Sequence, residues 1–126
     1  MNSLKMNDFD LEDRLIDFAV KVIKLTESLP KTKACTHISG QLIRCGTSPA
    51  PNYGEAKDAE SRADFVHKMK ICLKELRETR VWLLMIQKLD TIKDVSKLES
   101  LIDETNQLIS IFVKSIKTAK ANRRKT

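Results

Sequence analysis

The stretch from Ser61 to Leu89, SRADFVHKMKICLKELRETRVWLLMIQKL, decides the fold. Phe65, Met69, Cys72, Leu76, Leu83 and Ile86 recur at alternating steps of three and four, with Thr79 in the one gap, the rhythm of a helix buried along one seam. Val66, Leu73, Val81 and Leu84 widen that seam beyond the narrow stripe of a dimeric coiled coil, so more than one neighbouring helix is expected. Ser61 is placed to cap the first free backbone N–H groups, with Asp64 three residues on in a capping-box arrangement.

Working outward, Leu11, Leu15, Phe18, Val22, Leu25 and Leu29 mark a second stripe, broadened by Ile16, Ala19 and Ile23. The turn at Leu29-Pro30 ends it, because the residue before proline resists the helical region, and Thr32 caps a new helix. That helix carries Ile38, Leu42, Ile43 and Cys45 on its apolar side and then meets Gly46-Thr47-Ser48-Pro49-Ala50-Pro51. Two prolines cannot sit deep in a regular helix, but Ser48 as cap with Pro49 at the first helical position is a restart signal. Gly40 and Gly46 are expected to admit a close neighbour. After the polar link at Asp90 to Asp94, Ser96 and Glu99 repeat the capping-box spacing, and Leu98, Leu101, Ile102, Thr105, Leu108, Ile109, Phe112, Val113 and Ile116 form a last wide seam.

The expectation is therefore an all-α, antiparallel up-down-up-down four-helix bundle, because short loops make successive helices antiparallel neighbours. The helices span about 10–28, 32–59, 62–89 and 96–119, with the second kinked or broken near residues 46–48. Residues 1–7 read as disordered and 120–126 as a basic tail. With 126 residues the prior is one domain. All three Gly and three Pro lie between residues 30 and 54, which leaves the rest of the chain free of strong helix breakers. No apolar run approaches the roughly 20 residues of a membrane span. The acidic start lacks a signal peptide's pattern, and three cysteines without CxxC spacing fit a reducing compartment, so a cytoplasmic protein is expected.

The net charge of +6 is unevenly placed. Residues 1–104 hold 17 basic and 17 acidic side chains, so the whole excess comes from Lys114, Lys117, Lys120, Arg123, Arg124 and Lys125. That asymmetry points to an anionic partner such as nucleic acid, although a basic helix end also complements the dipole and aids solubility.

FAVKVIKL (18–25) followed by SLPKT, HISGQLIRCGTSPAPNYGEA (37–56) and AESRADFVHKMKICLKELRET (59–79) closely resemble the four-helix bundle proteins encoded in 23S rRNA intervening sequences. The resemblance covers nearly the whole chain after residue 10. It implies an antiparallel four-helix bundle that assembles as a homopentamer, with no established enzymatic activity and no catalytic residues to carry over. The accessory variability proteins of diversity-generating retroelements look similar in fold and bind nucleic acid beside a reverse transcriptase, so RNA, DNA or such an enzyme are the implied partners.

No catalytic constellation, cofactor motif or metal site is expected. A di-metal carboxylate centre needs a Glu-x-x-His from each of two helices, and only Asp64-x-x-His67 is present. Cys35 and His37 are two residues apart and face different sides of a helix, and Cys45 reads as a small core residue, which argues against zinc. The favoured function is non-enzymatic nucleic-acid binding by a ring of copies, through the six C-terminal cations together with Arg44 and Arg62; Lys57, Lys70 and Arg80 are further candidates. With one Tyr and one Trp, base stacking on aromatic side chains is not expected to drive it. Asn52, Tyr53, Glu55 and Arg62 are the candidate oligomer contacts. The contrasting reading is a scaffold that docks a protein partner and has no nucleic-acid role.

Overall fold

A computed structural model describes the backbone of residues 8–125 and the side chains of residues 10–122; the disorder expected for residues 1–7 falls outside this range. Every element in it is helical: α1 Asp8–Glu27, α2 Lys33–Thr47, α3 Pro49–Lys57, α4 Arg62–Leu89 and α5 Val95–Lys125. α2 and α3 together form one rod bent by 18°, so the architecture is a four-helix bundle. α1 packs on α2, α3 and α5, and α4 packs on the same three, while among the described residues α1 and α4 do not meet and so occupy a diagonal.

Sequence dictates the ends of the helices. Thr32, in an extended conformation, accepts the Cys35 N–H on its Oγ1 at 3.1 Å, and Ser61 Oγ accepts the Asp64 N–H at 3.0 Å. α4 stops where Asp90 turns left-handed (φ 57°) and returns its N–H to the Ile86 carbonyl. At α5 the cap differs from expectation. Asp94, not Ser96, holds the first turn, its Oδ1 accepting the Lys97 N–H at 3.2 Å and the Ser96 hydroxyl at 2.8 Å. A carboxylate beside the positive end of a 31-residue helix is the better cap, and these bonds hold the Asp94 carboxyl below its ordinary range.

The bend in the second rod also departs from the expected cap. Ser48 is fully helical (φ −70°, ψ −37°) and makes no side-chain cap. Pro49 and Pro51 remove the donors that would meet the Cys45 and Thr47 carbonyls, and the ladder resumes only with the Asn52 N–H to the Ser48 carbonyl at 3.2 Å. Asn52 Nδ2 reinforces the joint by donating to the Ser48 carbonyl at 3.0 Å and to its Oγ at 2.8 Å. The Cys72 thiol, opposite on α4, donates to the Pro49 carbonyl at 3.6 Å.

Inside, Leu15, Phe18, Leu42, Met69, Leu76, Leu83, Ile86, Leu108 and Phe112 are sealed from water. Thr79 and Thr105 lie among them, fully buried, each hydroxyl bonded to the carbonyl four residues back (2.8 and 2.7 Å), so the gap in the α4 seam costs no unpaired polar atom. Gly46 is where α2 meets α1 most closely: an added Cβ would stand 2.8 Å from Val22 Cγ1. Gly40 faces open space, contrary to the expectation of a close neighbour there.

Several residues expected to be buried are not. Ile16 and Ile23 on α1, Ile43 on α2 and Val81 on α4 are all exposed in one chain. With Val20, the α1 residues make a row at i, i+4 and i+7; Val81, Met85 and Leu89 make a row at i, i+4 and i+8 on the diagonal helix α4. Isolated apolar residues at a surface are ordinary, but rows along one helix face are not.

Candidate nucleic-acid interface

Lys70, Lys74 and Arg77 stand at i, i+4 and i+7 on α4, which places three cations in one line. Facing them across the α4–α5 seam are Lys117 and Lys120, and Lys114 lies one turn before Lys117. Lys70, Lys74, Arg77, Lys117 and Lys120 edge a groove of about 510 Å³ whose floor is Leu73, Val113 and Ile116; among the described residues no acidic side chain lines it. Lys114 is exposed. α5 is about 46 Å long against about 30 Å for α1. The Arg14–Glu104 pair sets α1 against the early part of α5, away from the residue 113–120 stretch that lines the groove.

The other seams are tied by opposite charges. Arg14 grips Glu104 with two bonds (2.7 and 2.8 Å) between α1 and α5, and this partner raises the Arg14 pKa. Lys57 joins Glu12 at 2.6 Å, linking α3 to α1, and Lys68 joins Glu55 at 2.7 Å, linking α4 to α3. Arg44 holds Glu75 and Glu78 of α4, and Glu78 also accepts the Trp82 indole N–H at 3.1 Å.

Those ties engage several of the expected site residues within the chain. Arg44 was expected to face nucleic acid, but its guanidinium joins α2 to α4, and Gln41 accepts its remaining bond at 3.1 Å. Tyr53, expected at an oligomer contact, is 3% exposed: its ring meets Phe112 edge-on at 6.1 Å with the Lys57 ammonium over it at 5.4 Å. Asn52 is occupied at the joint and Glu55 with Lys68, so the NYGEA segment clasps α3 to its neighbours. Arg80 donates to Asn106 Oδ1 at 2.7 Å. Arg62 is exposed in the first turn of α4, remote in sequence from the groove. Lys117 and Lys120, predicted from the tail, do reach the groove; the side chains of Arg123, Arg124 and Lys125 lie outside the described residues. Lys74 and Arg77 were missed, although their three-and-four spacing from Lys70 was available as a signal.

Nothing else assembles chemistry. Among the described residues no group of three or more His, Cys, Asp or Glu is arranged to hold a metal. His37 stacks edge-on against Trp82 at 5.9 Å. Cys35, Cys45 and Cys72 are buried free thiols; burial pushes the Cys45 pKa up and that of Cys72 to about 12, so neither is a ready nucleophile. No described helix is long and apolar enough to cross a membrane.

A family model described as 23S rRNA-intervening sequence protein matches residues 7–113. A crystal structure at 1.70 Å of a protein of unknown function from the S23 ribosomal protein family, from Bacteroides thetaiotaomicron VPI-5482, superimposes with a TM-score of 0.78 at 33% identity, covering 87% of this chain and 97% of that one. No curated protein matches the sequence.

Proposed function

Since the chain belongs to the 23S rRNA-intervening sequence protein family, we propose that it is a non-enzymatic nucleic-acid-binding bundle working as a ring of identical copies, with the α4–α5 groove laid along a phosphate backbone. One observation carries this reading: five cations and, among the described residues, no carboxylate line one groove, while the other seams are tied by opposite charges. Lysines at helical spacing neutralise phosphates one by one and release counterions, which makes affinity steeply salt-dependent. The apolar floor is narrow and lacks aromatic rings, so recognition rests on backbone charge and shape rather than stacked bases. The other C-terminal cations, Lys114, Arg123, Arg124 and Lys125, would extend the same track, and Arg62 would contribute only if a neighbouring copy brings it near.

The exposed rows on α1 and α4 support self-association. They lie on diagonal helices, so the row of one copy can meet the other row of the next, a head-to-tail contact that closes into a ring. The homopentamer is the proposed ring. The same rows favour a second reading, a scaffold that docks a protein such as a reverse transcriptase without touching nucleic acid.

Binding to matched RNA and DNA duplexes across a salt series separates the two. Groove binding predicts that Arg77→Glu with Lys117→Glu lowers the slope of log affinity against log salt by about 2, one for each phosphate no longer neutralised, and that deleting residues 117–126 weakens binding further. Equal affinity of wild type and both variants, or no binding at low salt, rejects it. Light scattering should give five times the 14.4 kDa of one chain, and a monomer would remove the ring.

A further inference from the structure

At the opposite end of the bundle, α1, the α4–α5 loop and the start of α5 enclose a cleft of about 800 Å³. Lys21 and Lys24 reach it from α1, Lys93 from the loop and Lys97 from α5, over a floor that includes Leu25 and Leu101. Two acids also line it, and both are committed: Glu104 to Arg14, and Asp94 to the first turn of α5. Lys21, Lys24 and Lys93 make no ion pair among the described residues, and Lys97 stands at a loose 3.9 Å from Asp94. The cleft is thus a cationic rim around an apolar floor, with the local negative charge already occupied.

Size narrows what fits. Ligand pockets run from about 300 to 1,000 Å³, so a bare phosphate would leave this one nearly empty, whereas a phosphate joined to a flat, partly apolar body would fill it. We propose that the cleft is a nucleotide site, with phosphates held by the lysine rim and the base resting on Leu25 and Leu101. This site is separate from the α4–α5 groove and does not depend on it. The nucleotide's source is either a free nucleoside diphosphate or the 5′-phosphorylated end of an RNA strand, since both present a 5′-phosphate group joined through ribose to a base.

The test uses the full chain and fluorescence anisotropy of ribose-labelled ADP. Saturable binding is expected, displaced by unlabelled ADP and at least about tenfold less well by adenosine or by pyrophosphate alone, because each supplies half of the contact. Lys21→Glu with Lys24→Glu should weaken binding about tenfold or more. Ser100→Trp, an exposed cleft residue, should abolish it with the charges intact. The groove pair Arg77→Glu with Lys117→Glu should leave it unchanged, and circular dichroism verifies folding of every variant. A 5′-phosphorylated RNA trinucleotide that competes better than ADP assigns the strand end as source; the reverse order assigns the free nucleotide. No saturation at millimolar ADP overturns the proposal, as does loss in the groove pair only, or pyrophosphate competing as well as ADP.

Discussion

Two glycines in the same helix should respond to alanine with opposite signs. Gly40 and Gly46 both lie within α2, and each Gly→Ala change gains about 1 kcal/mol of helix propensity. At Gly40 nothing stands within 4 Å of the new Cβ, so that gain is kept. At Gly46 the new atom would meet Val22 Cγ1 at 2.8 Å, Cγ2 at 3.0 Å and Cβ at 3.2 Å. Val22 is fully buried and β-branched, so it has no spare rotamer to yield into. Overpacking of this kind costs about 1–3 kcal/mol, leaving Gly46→Ala destabilised by about 1 kcal/mol net. The two variants should differ by about 2 kcal/mol in urea unfolding at one fixed chain concentration. Val22→Ala alone should cost about 2 kcal/mol, and in that background Gly46→Ala should become stabilising, because the obstructing methyls are gone. If Gly46→Ala stabilises the wild type as Gly40→Ala does, or if its cost survives Val22→Ala, the close approach of α1 and α2 is misassigned.

The same packing sets three further outcomes. The unfolded Cys72 thiol loses its proton near 9.0, but the buried one holds it until about 12. Above pH 9 the unfolded chain therefore binds fewer protons, and stability should fall by about 1 kcal/mol between pH 9 and pH 10, a component that Cys72→Ala lacks in pH-dependent unfolding. Arg44→Ala should lower stability by no more than about 1 kcal/mol, since its own side chain is half exposed, and should leave nucleic-acid affinity intact where Arg77→Ala reduces it in a titration at fixed salt. Asp94→Ala should lower the melting temperature more than Ser96→Ala does, because the carboxylate and not the hydroxyl accepts the first-turn N–H.

The bundle was legible because its stripes are long. Leu11 to Leu25 on α1, Leu29 just past its end and Met69 to Ile86 on α4 are buried as their spacing requires, and the prolines located the bend. Periodicity ranked Phe65 above Val66, yet Val66 is buried and Phe65 only partly so, since the first turn of a helix carries little phase information. Ile16, Ile23, Ile43 and Val81 were counted into the core because a stripe records that a face is apolar, not which chain covers it. The candidate interface was half visible. Charge counting found Lys117 and Lys120 because they lie in an acid-free run, but it passed over Lys74 and Arg77, which stand among glutamates in sequence and are parted from them only by the turn of the helix. That Arg44 and Tyr53 are engaged within the chain was not legible, because a sequence does not reveal which surface residues a neighbouring helix will occupy.

The acid-free groove also stores repulsion. Lys70, Lys74, Arg77 and Lys117 edge one seam with like charge, which works against the approach of α4 and α5, and among the described residues no carboxylate lines the groove to quiet them. Dissolved ions would then do the quieting: with a screening length of about 8 Å at physiological ionic strength and about 3 Å at 1 M, added salt should tighten this end of the molecule even as it loosens its hold on a polyanion. The protein would be sturdiest under the conditions in which it grips least, and a bound strand would act as its own counterion, restoring at low salt the firmness that the bare hairpin lacks.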